Sequence, residues 1–288
     1  MSDATPLLDI ENLWVRFATR SGTFDAVRGI SVSLGRERLG IVGESGSGKS
    51  MTGRAILRLI RSPGAVTADR MELRGEELLT ASETRMRALR GGKVSMIMQD
   101  PKFSLNPVMS VGQQMVEALR THEKFSRVAA RTQAIAMLEE VSIRDPERVF
   151  DLYPHEVSGG MGQRIMIAMM LLPNPEVLIA DEPTSALDVS VQLQVLDIMD
   201  RLVRERGMGL IFISHDLNLV AKFCDRIVIM YAGRIVEVVE ASELRNARHP
   251  YTLGLLNSVP DLEHPRARLD VLKRDPAWRE APSVSART

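Results

Sequence analysis

Cysteine is nearly missing from this 288-residue sequence, and its single copy, Cys224, can form no intrachain disulfide and no two-cysteine metal or redox motif. That fits a reducing compartment. Long apolar runs are missing too: the most extended one, Ile165 to Leu172, falls far short of the ~20 residues a membrane-spanning helix needs. The chain is expected not to cross a membrane. Net charge is also absent, since 37 Lys plus Arg balance 37 Asp plus Glu, and bulk charge therefore points to no nucleic-acid partner. The segment Met1 to Asn12 carries Asp3, Asp9 and Glu11, with no basic stretch followed by an apolar one. It does not read as a secretory signal, so a cytosolic chain is expected. No internal repeat and no low-complexity block is visible.

What is present is ordinary globular material, 44% hydrophobic and 26% charged, in a length that suggests about two domains. Short branched apolar segments read as buried strands: Ile30 to Leu34, Leu39 to Val42, Val94 to Met98, Val177 to Ala180, Leu210 to Ile213 and Ile227 to Met230. Helical spacing lies between several of them, as in Val189 to Arg206, where Val191, Val195, Ile198, Met199 and Leu202 fall mostly on one face. Alternation of this kind predicts an α/β sheet core. From about Asp100 to Ser158 the apolar residues Met115, Leu119, Ile135, Met137, Leu138 and Val141 keep helical spacing with no strand between them, which predicts a helical insert. After about Val259, Pro260, Pro265, Pro276 and Pro282 interrupt a charged stretch, and a loosely packed tail is expected.

Gly43-Glu44-Ser45-Gly46-Ser47-Gly48-Lys49-Ser50 matches the phosphate-binding P-loop, and it lies between the apolar Leu39 to Val42 and the helical pattern Met51 to Ile60. In such a loop backbone N–H groups converge on phosphate oxygens at a helix N-terminus, the lysine reaches the terminal phosphates, and the Ser50 hydroxyl can ligate Mg²⁺. A P-loop alone leaves kinases, GTPases and ATPases open. Val177 to Ala180 ends in Asp181 and Glu182. Asp181 is placed to hold Mg²⁺, and Glu182 to polarise an attacking water, a role that suits hydrolysis better than transfer to a second substrate.

Val157-Ser158-Gly159-Gly160-Met161-Gly162-Gln163-Arg164 precedes that strand and opens the apolar helix. Here the sequence resembles the ATP-binding cassette family, which carries a Leu-Ser-Gly-Gly-Gln signature at this place. Gln99 in Met98-Gln99-Asp100-Pro101, Ala186-Leu187-Asp188 and His215 in Ile213-Ser214-His215-Asp216 match the family's glutamine loop, Ala-Leu-Asp loop and switch histidine in order. The resemblance implies a RecA-like P-loop NTPase core, 1–98 with 159–240, bearing an antiparallel N-terminal β subdomain. It implies a helical subdomain over 99–158 that faces a permease, and a C-terminal extension over 241–288, loosely packed after about 260. It also implies a head-to-tail pair of cassettes in which Ser158, Gly159 and Gly160 of one chain cap the γ-phosphate held by the other's P-loop. Gln99 would contact Mg²⁺ and the attacking water, His215 the γ-phosphate, and Asp188 the dimer seam. An aromatic side chain should stack on adenine, Phe17 being taken first and Phe24 second. Val157, Met161 and Gly162 depart from the commonest signature, and Gly162 should cost its helix about 1 kcal/mol relative to Ala. Every residue expected to touch phosphate, metal or water is retained, so a competent ATPase is expected.

Gln99-Asp100-Pro101 with Ser104-Leu105-Asn106-Pro107, Tyr153-Pro154-His155-Glu156, and His249-Pro250-Tyr251-Thr252 with Leu255-Leu256 and Val259-Pro260 look like the oligopeptide, dipeptide and nickel uptake group within that family. The resemblance then implies the ATPase subunit of a bacterial importer, peripheral on the cytoplasmic face of the inner membrane. Its partners would be a second, preferably different, ATPase subunit, two transmembrane permeases and, indirectly, a solute-binding protein. ATP and Mg²⁺ are the expected cofactors. Peptides are the expected cargo, with nickel, opine or other small solutes as the alternative, and a soluble cassette acting on nucleic acid or ribosomes as the more distant one. Some members of the group hold an iron–sulfur cluster in a C-terminal cysteine segment; with no cysteine beyond Cys224, no such cluster is expected here.

Overall fold

The computed structural model describes residues 5–98, 105–185, 187–258, 272 and 274–287. In chain order the elements open with β1 (Leu8–Thr19), β2 (Gly22–Leu34), β3 (Arg38–Val42), α1 (Lys49–Ile56), β4 (Gly64–Thr67), β5 (Arg70–Leu73) and β6 (Glu76–Glu77). There follow α2 (Glu83–Leu89), β7 (Val94–Ile97), α3 (Val111–His122), α4 (Arg127–Glu140), α5 (Pro146–Asp151), α6 (Gly159–Leu171), β8 (Val177–Asp181) and α7 (Val189–Arg206). The chain closes with β9 (Gly209–Ser214), α8 (Leu217–Phe223), β10 (Arg226–Tyr231), β11 (Arg234–Glu240), α9 (Pro250–Asn257), α10 (Ala277–Glu280) and β12 (Ser285–Ala286). No helix among the described residues is long and apolar enough to cross a membrane. Two compact units divide the chain, 1–80 with 211–288, and 81–210.

In the first unit a sheet is ordered β12-β2-β1-β5-β6, with β4 also on β1, and every pairing in it is antiparallel except that of β12 with β2, which is parallel. Its organising hairpin pairs Leu8 with Leu34 and Thr19 with Gly22, and Leu8, Ile10, Leu13 and Val15 turn inward while their neighbours stay half-exposed. That alternation marks a sheet with one covered face. A second set of strands in this unit is ordered β11-β10-β3-β9, with β3 and β10 parallel. β3 beyond Arg38 and the whole of β10 are buried, as expected for strands covered on both faces. Cys224 is packed there beside Gly40, and burial pushes its thiol pKa far up, which makes it an inert small core residue.

In the second unit β7 and β8 are parallel neighbours, with Val94 opposite Val177 and Ile97 opposite Ala180. The helices begin where serine side chains satisfy free N–H groups: Ser110 Oγ accepts from Gln113 N–H, Ser126 Oγ from Ala129 N–H and Ser158 Oγ from Met161 N–H. α7 matches the Val189 to Arg206 expectation and buries Val195, Leu196, Ile198, Met199, Leu202 and Val203. Arg206 fastens it to the helical region, ion-pairing Glu140 at 2.6 Å and donating to Leu171 O at 2.8 Å.

Three expectations are corrected. The helix after the P-loop stops at Ile56, short of Ile60, because Arg58 turns left-handed (φ 52°) and its N–H and that of Leu59 fold back onto Ala55 O and Arg54 O. The division into units also differs from that read from the sequence: residues 81–98 and 159–210 group with the helical region, consistent with the packing of α6 on α3 and α4. Lastly, the tail is not loose over 274–287. β12 pairs with β2 through Ser285–Ser31 and Ala286–Val32, Arg287 ion-pairs Asp9 at 2.9 Å and Glu11 at 2.8 Å, and the buried Arg226 donates to Ala286 O at 2.6 Å. The charges that suggested a solvated tail are used in pairs with residues far away in the chain. Residues 259–271 and 273 lie outside the described residues.

Candidate functional site

In the first unit, β3 delivers the chain into the loop 43–50, and α1 leaves it. Gly48 caps α1 with φ 103°. A Cβ there would stand 2.6 Å from Ala26 O, so this position admits glycine alone without rearrangement. Lys49 is 5% exposed, and its ammonium donates to Gly43 O at 2.7 Å and Glu44 O at 2.9 Å. The loop thereby holds a nearly enclosed positive charge at a helix N-terminus, a setting that favours an anion. Ser47 N–H donates to Glu44 O (3.1 Å) and Gly233 N–H to Ser47 O (2.9 Å), which ties the loop to the β10–β11 turn. Gly46 is exposed and faces open space. Ser50 follows Lys49 and is half-buried.

His215 is exposed and directly follows β9, with Asp216 after it capping α8 through Leu219 N–H at 3.0 Å. Phe17 and Phe24 stand opposite one another in the β1–β2 hairpin. Phe24 is 58% exposed, whereas the half-buried Phe17 ring lies close against Gly64.

The second unit carries the other candidates. β8 is buried throughout and ends at Asp181, which is 4% exposed; Glu182 follows it, half-buried and left-handed (φ 48°). A non-glycine residue in that conformation is uncommon and is found where a chain turns sharply to present a side chain. Ser185 N–H and Oγ donate back to Glu182 O at 3.3 and 3.2 Å, closing the turn. Ser158 and Gly159 are exposed at the start of α6, and nothing lies within 4 Å of where a Gly159 Cβ would be. Gly160 is closer set, its Cβ position 2.9 Å from Val191. Asp188 caps α7: its Oδ1 accepts from Ser190 Oγ at 2.7 Å, Val191 N–H at 3.0 Å and Ser190 N–H at 3.1 Å. Those bonds, the Ser190 hydroxyl first, hold its carboxyl below the usual aspartate range.

Gln99, with Asp100 and Pro101, lies outside the described residues, as does Ala186. The motif around Tyr153 forms a short turn of helix in which Tyr153 N–H donates to Glu156 Oε2 at 2.8 Å. Two contacts escaped the sequence reading. Gln163, 1% exposed on α6, donates its side-chain amide to Pro183 O and so ties the signature helix to the turn after Glu182. Tyr251, fully buried on α9, accepts a hydrogen bond from Glu44 N–H inside the P-loop at 3.0 Å. The motif His249 to Thr252 marked this tyrosine, but its partner 207 residues away had no local signal.

The order of these motifs can be set against known proteins. A family profile described as ABC transporter matches residues 27–185. The chain is 48% identical over 266 residues to the oligopeptide transport ATP-binding protein OppD of Bacillus subtilis (strain 168), covering 91% of this chain and 74% of that one. It is 46% identical over 269 residues to the dipeptide transport ATP-binding protein DppD of Haemophilus influenzae, covering 93% and 82%. This chain belongs to the ABC transporter family. Among solved structures, the dimeric structure of MJ0796, a bacterial ABC transporter cassette, matches the fold with a TM-score of 0.73 at 24% identity, over 81% of this chain and 98% of that one. A post-hydrolysis dimer of the same cassette, bound to ADP and Pi, gives a TM-score of 0.70 over the same shares at 24% identity. The α/β P-loop NTPase fold expected from the sequence is the fold observed. As an ABC-family ATPase, the chain binds ATP.

Proposed function

We propose that this chain is the ATP-hydrolysing subunit of a bacterial peptide importer. The observation that carries the reading is the enclosed Lys49 ammonium in a glycine-built loop at a helix start, in a chain 46–48% identical to peptide transport ATP-binding proteins. In this reading the loop 43–50 receives the phosphates, with Lys49 on the terminal ones, and the half-exposed hairpin ring of Phe17 packs on adenine. The Ser50 hydroxyl, the Asp181 carboxylate and Gln99 would hold Mg²⁺; hard oxygen donors suit that ion, which supplies charge neutralisation on the phosphates. Glu182 accepts a proton from the attacking water as its oxygen bonds to the γ-phosphorus. The bond from that phosphorus to the bridging oxygen breaks, ADP and phosphate leave, and His215 steadies the γ-phosphate oxygens.

Ser158, Gly159 and Gly160 are reserved in this reading for nucleotide held by a second cassette. Ser158 and Gly159 sit exposed at a helix start with Gly160 half-buried behind them, and a helix N-terminus attracts anions. Asp188 lies at the seam of that pair, which is more readily formed with a different ATPase subunit than with a second copy. Closure of the pair drives two permease subunits through the helical region 99–158, at the cytoplasmic face of the membrane, and a solute-binding protein delivers peptide to the permeases. The chain itself meets neither peptide nor nucleic acid.

The test is a tagged chain purified from membranes, with bound proteins identified by mass spectrometry and ATPase activity assayed with added peptide. Recovery of two permeases and a second cassette, with stimulation by peptide, supports the proposal; recovery with ribosomes or DNA and no permease refutes the transport role. In the same complex Glu182→Gln should retain ATP while hydrolysis drops at least 100-fold, the size of a lost general base. Wild-type turnover would remove Glu182 from that role.

A further inference from the structure

Residues from the end of the chain reach the P-loop at two points. From α9, the buried Tyr251 hydroxyl accepts the Glu44 N–H at 3.0 Å, on the same residue whose carbonyl accepts from Lys49 and from Ser47 N–H. Both faces of the loop's first turn are therefore held. From the tail, Arg274 grips the Glu44 carboxylate side-on, Nη2 to Oε1 at 2.8 Å and Nε to Oε2 at 3.3 Å. Trp278 of α10 closes the arrangement, its ring centroid 6.2 Å from Tyr251, 6.0 Å from Tyr231 and 5.6 Å from His249, with Tyr231 and Tyr251 tilted together at 4.7 Å.

These contacts have two consequences for phosphate. A loop whose first peptide is pinned through both its N–H and its carbonyl does not have to be ordered when nucleotide arrives, so less binding energy is spent on arranging it. Glu44 also places a carboxylate on the loop that receives polyanionic phosphate. Left alone it would repel that ligand; the guanidinium of Arg274 cancels it, and the bidentate geometry is the strong form of such a pair.

We infer that Tyr251, Arg274 and Trp278 form a C-terminal latch that holds the P-loop in its nucleotide-receiving shape and charge, making Tyr251 and Arg274 positioning residues for ATP binding. The inference rests on the phosphate-binding role proposed for residues 43–50. Because coupling of two equilibria is reciprocal, bound nucleotide must tighten the docking of the tail as much as the docked tail tightens nucleotide. Anything that lifts residues 274–280 from the first unit then weakens ATP binding, which makes the end of the chain a handle by which a partner can tune the ATPase.

The test is equilibrium binding of MgATP to the full-length chain, read by displacement of the fluorescent analogue TNP-ATP. Tyr251→Phe keeps the ring and removes the acceptor, and should raise Kd about 3- to 10-fold, the range for one lost hydrogen bond. Tyr231→Phe, which removes a hydroxyl from the same aromatic cluster but not from the loop, should stay within twofold of wild type. Arg274→Ala should raise Kd at least twofold, and Glu44→Gln added to it should restore the wild-type value, since the uncompensated charge is gone. A role confined to packing would show no such rescue. Should Tyr251→Phe not fold, the pair Arg274→Ala and Glu44→Gln/Arg274→Ala decides alone. Kd within twofold of wild type for every folded latch variant, alongside loss of binding in Lys49→Ala, overturns the latch and leaves the P-loop role intact. Wild-type affinity in Lys49→Ala overturns both.

Discussion

Gly48 and Gly46 lie in the same loop and both are left-handed, φ 103° and 82°, yet they differ in what surrounds them. A Cβ on Gly46 would meet nothing within 4 Å, whereas one on Gly48 would stand 2.6 Å from Ala26 O and 3.3 Å from the Met230 methyl. Gly46→Ala therefore carries only the conformational cost of a left-handed alanine, about 1–2 kcal/mol. Gly48→Ala carries that cost plus overpacking against a backbone carbonyl in β2, which adds about 1–3 kcal/mol, for a total of about 2–5 kcal/mol. The carbonyl belongs to a paired strand and cannot swing away as a side chain would, so α1 must give instead. That movement displaces Lys49, whose ammonium contacts Gly43 O and Glu44 O. Urea unfolding of the two variants beside wild type measures the first effect, and MgATP affinity the second. Gly48→Ala should unfold at clearly lower urea than Gly46→Ala and bind MgATP at least tenfold more weakly than wild type. The reasoning is refuted if the two alanines cost the same and Gly48→Ala keeps its affinity within twofold.

Two further predictions concern how the first unit is held together. Arg226 is 4% exposed and donates to Glu37 Oε1 (2.7 Å) and Oε2 (3.2 Å), Ser33 O (2.7 Å) and Ala286 O (2.6 Å). Arg226→Met keeps the stem and strands those acceptors, so stability should fall by about 3–5 kcal/mol in urea unfolding; a loss below about 1 kcal/mol would show that tail and strands do not depend on this guanidinium. Tyr251 has its pKa raised from 10.0 to about 12, chiefly by burial. Its stabilising share is complete below pH 10, and is lost as pH rises towards 12 because the unfolded chain releases a proton that the folded chain retains. The loss should reach about 2 kcal/mol by pH 12 and be missing from Tyr251→Phe, so unfolding free energies of the two proteins should converge between pH 9.5 and 11.5. Parallel curves would place the hydroxyl in a more solvated setting than the fold gives it.

How much of this was legible depends on whether the signal was local. The P-loop, Asp181 with Glu182, and the serine at the start of α6 are contiguous runs in which side chain and backbone conformation are dictated together, and each falls where its motif predicted. The buried strands β3, β8, β9 and β10 were visible because strands covered on both faces need unbroken apolar runs. No unbroken apolar run marks β1, because its inward Leu8, Ile10, Leu13 and Val15 are interleaved with polar residues and cross a register irregularity between Ile10 and Leu13. The sequence shows no stop signal for α1 at Ile56, because Arg58 and not glycine takes the left-handed position after it. The packing of the tail is hidden from composition for a deeper reason. Prolines and charges make a segment look solvated when each charge is counted as unpaired, but Arg274, Arg287 and their acids are separated by most of the chain, and composition carries no trace of such pairing. The same holds for Tyr251: a tyrosine in a Pro-Tyr-Thr run predicts burial at most, and its bond to Glu44 emerges only when α9 is folded back on the loop. A local motif can therefore mark a loop in the sequence while leaving unread the distant residues, Tyr251 and Arg274, that bond to it.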